Sequence, residues 1–188
     1  MTKKPITFID DRALAKHFSQ QADSLELEGN ITEALQIRRE KELRLHQKNG
    51  DQHAVAITQG KIANILQIQG QLDQALRIRS EEELPVYEQL GDVRSISITK
   101  DQIADIYFQQ NREVEAITIY EAILPIYEKL GDKRALLIAQ ANLAFIYLQT
   151  GENLERARQL LNSALQAAQE MQIPEAAQIE EILRQIAD

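Results

Sequence analysis

Gln102-Ile103-Ala104-Asp105-Ile106-Tyr107, with Ala116 twelve residues beyond Ala104, is the stretch that decides the fold. It returns along the whole chain. Ala22, Ala63, Ala104 and Ala144 lie 41, 41 and 40 residues apart, and Ala34, Ala75, Ala116 and Ala157 lie 41 apart throughout. Three residues after each member of the first series stands a large residue: Leu25, Leu66, Tyr107 or Tyr147. Gly29, Gly70, Asn111 and Gly151 mark one turn of the unit, and Gly50, Gly91 and Gly131 mark a second. A fixed period of this length is the mark of a repeat array.

The pattern inside each unit is helical. Ala116, Ile117, Tyr120, Ile123, Leu124 and Tyr127 fall at steps that form one helix stripe and no strand. Four helix hairpins are expected, over about 11–49, 51–90, 92–130 and 132–171. A tail covers 1–9, and a capping helix over 174–188 begins at Pro174 and runs to about Ala187. Asp10 reads as the N-cap of the first helix, with Ile9 and Leu14 as its staple, and Asn30 with Glu33 as a capping box for the second. Leu136, Leu137, Leu143, Ile146, Tyr147 and Leu148 cover most of the circumference of one helix, so it must be packed from several sides. Ile179, Ile182, Leu183 and Ile186 give the last helix one apolar side. Met1 and this cap read as the ends of a whole chain.

The two alanine series face each other within a hairpin, where a small residue lets two backbones approach. In the fourth unit Ala144 and Ala157 are 13 apart, so the turn at Gly151-Glu152-Asn153-Leu154 carries one extra residue. Pro85 and Pro125 lie inside the second helices of units two and three. Proline removes one helical hydrogen bond, and a kink or break is expected at 81–85 and 121–125. The rival reading is a binding notch on the outer face. Glu81-Glu82-Glu83 reads as a solvated helix face.

Composition excludes several classes. A formal net charge of −8, with no strong Lys/Arg cluster, opposes nucleic-acid and anionic-membrane binding. The absence of cysteine excludes disulfides, thiol catalysis and Cys-ligated zinc. The first residues lack the apolar core of a signal peptide, and no apolar run approaches membrane-spanning length. His17, His46 and His53 show no metal-ligand spacing, and His46 with His53 reads as a surface pair. No phosphate loop, serine elbow or carboxylate pair stands out. The expectation is a soluble cytoplasmic protein that is no enzyme and holds no cofactor or metal.

The small residue, the large residue three on, the glycine turn and the small residue twelve on, repeated four times, resemble the tetratricopeptide repeat family. The likeness is to its long variant of about 40 residues per unit, and it is strongest at Ile103-Ala104, Tyr107 and Ala116, and at Leu143-Ala144, Tyr147 and Ala157. The family's Trp is missing, and Gln21 stands where the other units hold Ile62, Ile103 and Leu143. The resemblance implies an all-α, right-handed superhelical solenoid whose first helices line a concave groove. It places Gln20, Asp23, Lys61, Asn64, Gln67, Gln102, Asp105, Phe108, Asn142 and Phe145 on that groove, with Glu26 and Leu148 beside them. Amides there would hold an extended peptide backbone while Phe108 and Phe145 grip an apolar side chain. The competing expectation is that the capping helix covers Phe145 and Leu148. Family members that grip a chaperone's C-terminal carboxylate use Lys, Asn and Arg. The matching positions here hold Ser19 and Asp23, Lys61, and Ile98 and Gln102, so that cationic clamp is absent.

The resemblance implies a protein- or peptide-binding adaptor or scaffold. Its rivals are a regulatory sensor of a signalling peptide and a homo-oligomeric structural module. The partner is expected to be another protein or peptide, with no nucleic acid and no membrane.

Overall fold

The computed structural model describes residues 10–186; the tail read over 1–9, its Ile9 staple and the last two residues lie outside them. Among the described residues there are nine helices and no strands. They are α1 (Asp11–Leu27), α2 (31–48), α3 (Gln52–Ile68), α4 (72–90), α5 (Val93–Gln109), α6 (Glu113–Leu130), α7 (Lys133–Thr150), α8 (Leu154–Met171) and α9 (Glu175–Gln185). The chain forms two compact units, Met1–Gly91 and Asp92–Asp188. The first holds the hairpins α1–α2 and α3–α4. The second holds α5–α6 and α7–α8, with α9 packed on α8 through Ile179.

The alanines explain the hairpins. All eight members of the two series are completely buried. With only a methyl group at the crossing, each pair of helices packs at close range, and larger residues fill the gaps one turn away. Tyr120, Ile123, Leu143, Ile146 and Leu161 complete the interior of the second unit.

The helix starts follow from the sequence. Asp10 accepts the N–H of Arg12 (3.3 Å), Asp51 that of Ala54 (3.0 Å), Asp92 that of Ser95 (3.0 Å) and Asp132 that of Ala135 (3.1 Å). These bonds satisfy donors that every helix N-terminus leaves open. The capping box expected at Asn30 is not formed. Its side chain reaches back to Glu28 instead, and α2 begins without a side-chain cap. The fourth hairpin accommodates its extra residue as expected, with Asn153 as a second left-handed residue (φ 48°) after Gly151 (φ 71°).

Of the kink or break expected at each proline, a break at 121–125 does not form, whereas α4 is interrupted close to the expected 81–85. The helix carrying Pro125 is unbroken from Glu113 to Leu130. In α4 the regular helix is interrupted by a π-helical turn, Ile78–Glu83, and Pro85 sits in the first turn where α-helix resumes. In α2 an equivalent turn, Arg38–Glu42, forms with no proline nearby. The cause is chain length. Sixteen residues separate Ala34 from Gly50 and Ala75 from Gly91, but only fifteen separate Ala116 from Gly131. A π turn absorbs one surplus residue without shifting the alanine or the glycine.

Glu81-Glu82-Glu83 is not a uniformly solvated face. Glu83 is buried and paired at 2.9 Å with the fully buried Arg79. Gly60 of α3 gives that carboxylate its space, since a Cβ there would lie 2.6 Å from Glu83 Oε1. Gly60→Ala is therefore expected to destabilise the protein by about 1–3 kcal/mol, against the gain of roughly 0.5–1 kcal/mol that alanine brings in an unobstructed helix. Urea unfolding reads the sign directly.

Candidate functional site

The alanine spacing marks a second register. The residue after the first-helix alanine meets the residue four places after the second-helix alanine, fifteen positions on. Arg38 donates to Asp23, Arg79 to Asn64, and the Tyr120 hydroxyl to Asp105. Three of the residues expected on the groove are thus tied to the second helix of their own hairpin.

In the first unit the ties are charged. Buried Arg38 donates through Nε to Glu26 (2.7 Å) and through Nη1 to Glu42 (2.9 Å), as well as to Asp23. Glu42 also accepts from Thr58 (3.3 Å). Lys61 extends the cluster from the next hairpin, its Nζ 2.9 Å from Asp23. Burial raises the Asp23 carboxyl, but the hydrogen bonds from Lys61 and Arg38 outweigh it and hold the group below the usual carboxylate range. Gln20 is exposed on the same unit and Gln67 is half-buried.

In the second unit the donor is a neutral hydroxyl and the acceptor is still a carboxylate. Asn142 of the next hairpin donates to the Tyr120 oxygen (3.1 Å) and to Asp105 (3.4 Å), repeating the position of Lys61 with an amide. Burial, followed by the charges of Asp105 and Asp101, raises the Tyr120 hydroxyl, so it stays a proton donor. Phe108 and Phe145 meet edge to face, with ring centroids 5.8 Å apart. Phe145 remains 46% exposed, which corrects the expectation that the capping helix covers it; Leu148 is half-buried against the core. Ile98 and Ile138 are also exposed. On α5 the sequence Ile98, Gln102, Asp105, Phe108 follows one helix face, and on α7 Ile138, Asn142, Phe145 does the same. This face carries apolar groups at both ends and amides and carboxylates between.

Sequence reasoning missed Asp101, one helical turn from Asp105. Its Oδ1 is shielded from solvent and accepts no hydrogen bond. Burial, with the nearby Asp105 charge, pushes this carboxyl up to about 7. It also missed the buried arginines. The available signal was the recurrence of Arg38 and Arg79 fifteen residues after Asp23 and Asn64.

Among the described residues no helix is long and apolar enough to cross a membrane, and no cluster of three metal-ligating side chains forms. Residues 95–170 match the tetratricopeptide repeat family. The chain as a whole has the fold of tetratricopeptide repeat proteins. A putative kinesin light chain with tetratricopeptide-like repeats from Podospora anserina shares 18% identity, with a TM-score of 0.69 and coverage of 95% of this chain and 97% of that one. A signal-transduction ATPase with a tetratricopeptide repeat sensor from Pyrococcus horikoshii shares 21% identity over 93% of this chain and 27% of that one, with a TM-score of 0.82. Aspartyl phosphate phosphatase F from Bacillus subtilis shares 12% identity over 92% and 45%, with a TM-score of 0.83. The chain thus spans about a quarter and under half the length of the latter two, and at these identities the likeness is one of fold. No curated protein matches in sequence. The tetratricopeptide repeat is a protein-interaction scaffold, generally non-catalytic.

Two predictions follow from the ties. Glu83→Leu leaves Arg79 buried without its counter-charge and is expected to destabilise by about 3–5 kcal/mol. Arg79→Tyr with Glu83→Leu, which places the uncharged donor of Tyr120 at this position, is expected to be more stable than the single variant in urea. Because Asp101 is raised in the folded state from an ordinary value of 3.8 to about 7, it favours the fold fully below about pH 4 and progressively less up to pH 7. Asp101→Asn is expected to gain urea midpoint relative to wild type as pH rises from 4 to 7, then hold that gain. A constant difference across the range contradicts the assignment.

Proposed function

We propose that the protein is a cytoplasmic adaptor that holds an extended peptide segment of a partner protein on the first-helix faces of its repeats. The observation that carries this reading is the open Phe145 ring, braced edge to face by Phe108 beside the Asn142 amide. An exposed aromatic held in one orientation buries a partner's apolar side chain at low entropic cost. The amides of Gln102 and Asn142 lie on the same face, and Ile98 and Ile138 offer a second apolar contact at its other end. In the first unit Asp23, Lys61 and Asn64 act chiefly by fixing the helices, with Gln20 and Gln67 as its open amides.

A regulatory role is the second reading, favoured by the fold shared with the repeat sensor from Pyrococcus horikoshii. It uses the same peptide-holding face, and the adaptor reading differs only in what the bound segment reports. Self-association through this face is a further outcome that the test separates.

Displayed-peptide selection on the wild-type protein, counter-selected on Phe145→Ala/Asn142→Ala of equal helicity, tests the site. The enriched peptides are expected to bind wild type at least tenfold more tightly than the variant by fluorescence anisotropy. Equal binding to both moves the site off this face, and a wild-type dimer that the variant abolishes makes the face a self-association surface.

A further inference from the structure

The tie in the second unit fixes which end of the Asn142 amide a partner meets. The Tyr120 side chain is fully buried and its hydroxyl donates its one proton to Asp105. The Tyr120 oxygen and the Asp105 carboxylate are then left as acceptors. The group that faces both is the Asn142 amide nitrogen, 3.1 Å from the Tyr120 oxygen and 3.4 Å from Asp105 Oδ1. Turning the amide over would set its oxygen against two acceptors, so its orientation is determined by chemistry.

The amide oxygen is the end left over. Asn142 is half-buried, and among the described residues this oxygen accepts no hydrogen bond. It is not closed off from solvent as the Gln140 oxygen is. Ile138 lies four residues before it and the exposed Phe145 three residues after it, on one face of α7. Asn64 in the first unit shows the reverse. Its oxygen accepts from Arg79, so the amide nitrogen is the end that this exposed residue has left for a partner. Whether a tie is built on arginine or on carboxylate decides which end of an asparagine is offered.

We infer that Asn142 offers a partner a fixed hydrogen-bond acceptor, which selects an extended segment with a backbone N–H beside the apolar side chain that covers Phe145 and rejects proline at that residue. This rests on the peptide-holding reading of the first-helix face. A segment laid over Phe145 displaces water from the neighbouring Asn142 oxygen, and an acceptor left unpaired is costly. A backbone N–H replaces the lost bond, whereas a proline nitrogen carries no hydrogen. A site built around such a bond discriminates against a ligand without the donor more sharply than an apolar pocket discriminates by size. Tyr120 is buried beneath the face and serves as a positioning residue, holding the amide nitrogen so that the oxygen faces outward.

The test takes the tightest-binding peptide from the displayed-peptide selection above and replaces each backbone amide in turn by an ester, which removes one N–H and keeps the chain shape. Wild type is expected to lose about tenfold or more in affinity at one position, and as much again with proline there. Asn142→Lys copies Lys61, keeps a donor against Asp105 and removes the acceptor. It is expected to bind the parent peptide about tenfold more weakly and the ester no more weakly than the parent, at a urea midpoint close to wild type. Asn142→Ala gives the same comparison should the lysine lower that midpoint. In the free protein the Asn142 side-chain amide protons are expected to exchange slowly with solvent by proton–nitrogen NMR, and to lose that protection in Tyr120→Phe. Esters that cost nothing at any position, in a peptide that still depends on Phe145, overturn this inference and leave the adaptor reading standing. Fast exchange of the amide in wild type also overturns it, as does an ester penalty of the same size in the Asn142 variants. Peptides indifferent to Phe145→Ala overturn both readings together.

Discussion

Every hairpin carries a completely buried alanine on each of its two helices. A side chain that small lets two helices approach closely, and packing at crystal-like density then leaves no freedom for a helix to slide. The register then brings the residue after the first alanine onto the residue four places after the second. Asp23 meets Arg38, Asn64 meets Arg79, and Asp105 meets Tyr120. One steric rule thus repeats a polar tie three times with different chemistry.

The chemistry differs by unit. In the first, guanidinium groups are buried among carboxylates, an arrangement whose Coulombic gain is largely offset by desolvation but which is costly to break on one side. The π turns of α2 and α4 lie between the arginine and the glutamate of each pair, Arg38 with Glu42 and Arg79 with Glu83. In the second unit the surplus residue is absent, α6 is unbroken, and a tyrosine replaces the arginine. Asn142 then joins the tie in place of Lys61, and the first-helix face above it carries open aromatic and aliphatic groups.

Much of the fold was legible because steric rules repeat in sequence. The alanines, the aspartate caps and the extra residue beyond Gly151 all appear as spacings. The π turns were present as a difference of one residue between Ala75–Gly91 and Ala116–Gly131, but Pro85 drew the explanation to itself. Burial of Arg38 and Glu83 was not legible, because a charged pair four residues apart on a helix is ordinarily solvated. The residues expected on a groove lie on the first helices of their hairpins, and sequence could not say that Asp23, Asn64 and Asp105 are tied within the protein. Nor could it say that the capping helix leaves Phe145 open, since that depends on where α9 meets α8.

The ties brace the first-helix faces, and a braced face would lose less entropy in the peptide-holding role proposed for it. The account therefore rests on the ties being energetically real. A double-mutant cycle between Asp105 and Tyr120, using Asp105→Ala and Tyr120→Phe in urea unfolding, measures this most directly. The account predicts a coupling of about 1–3 kcal/mol between the two positions. Additive effects, with coupling near zero, would contradict it.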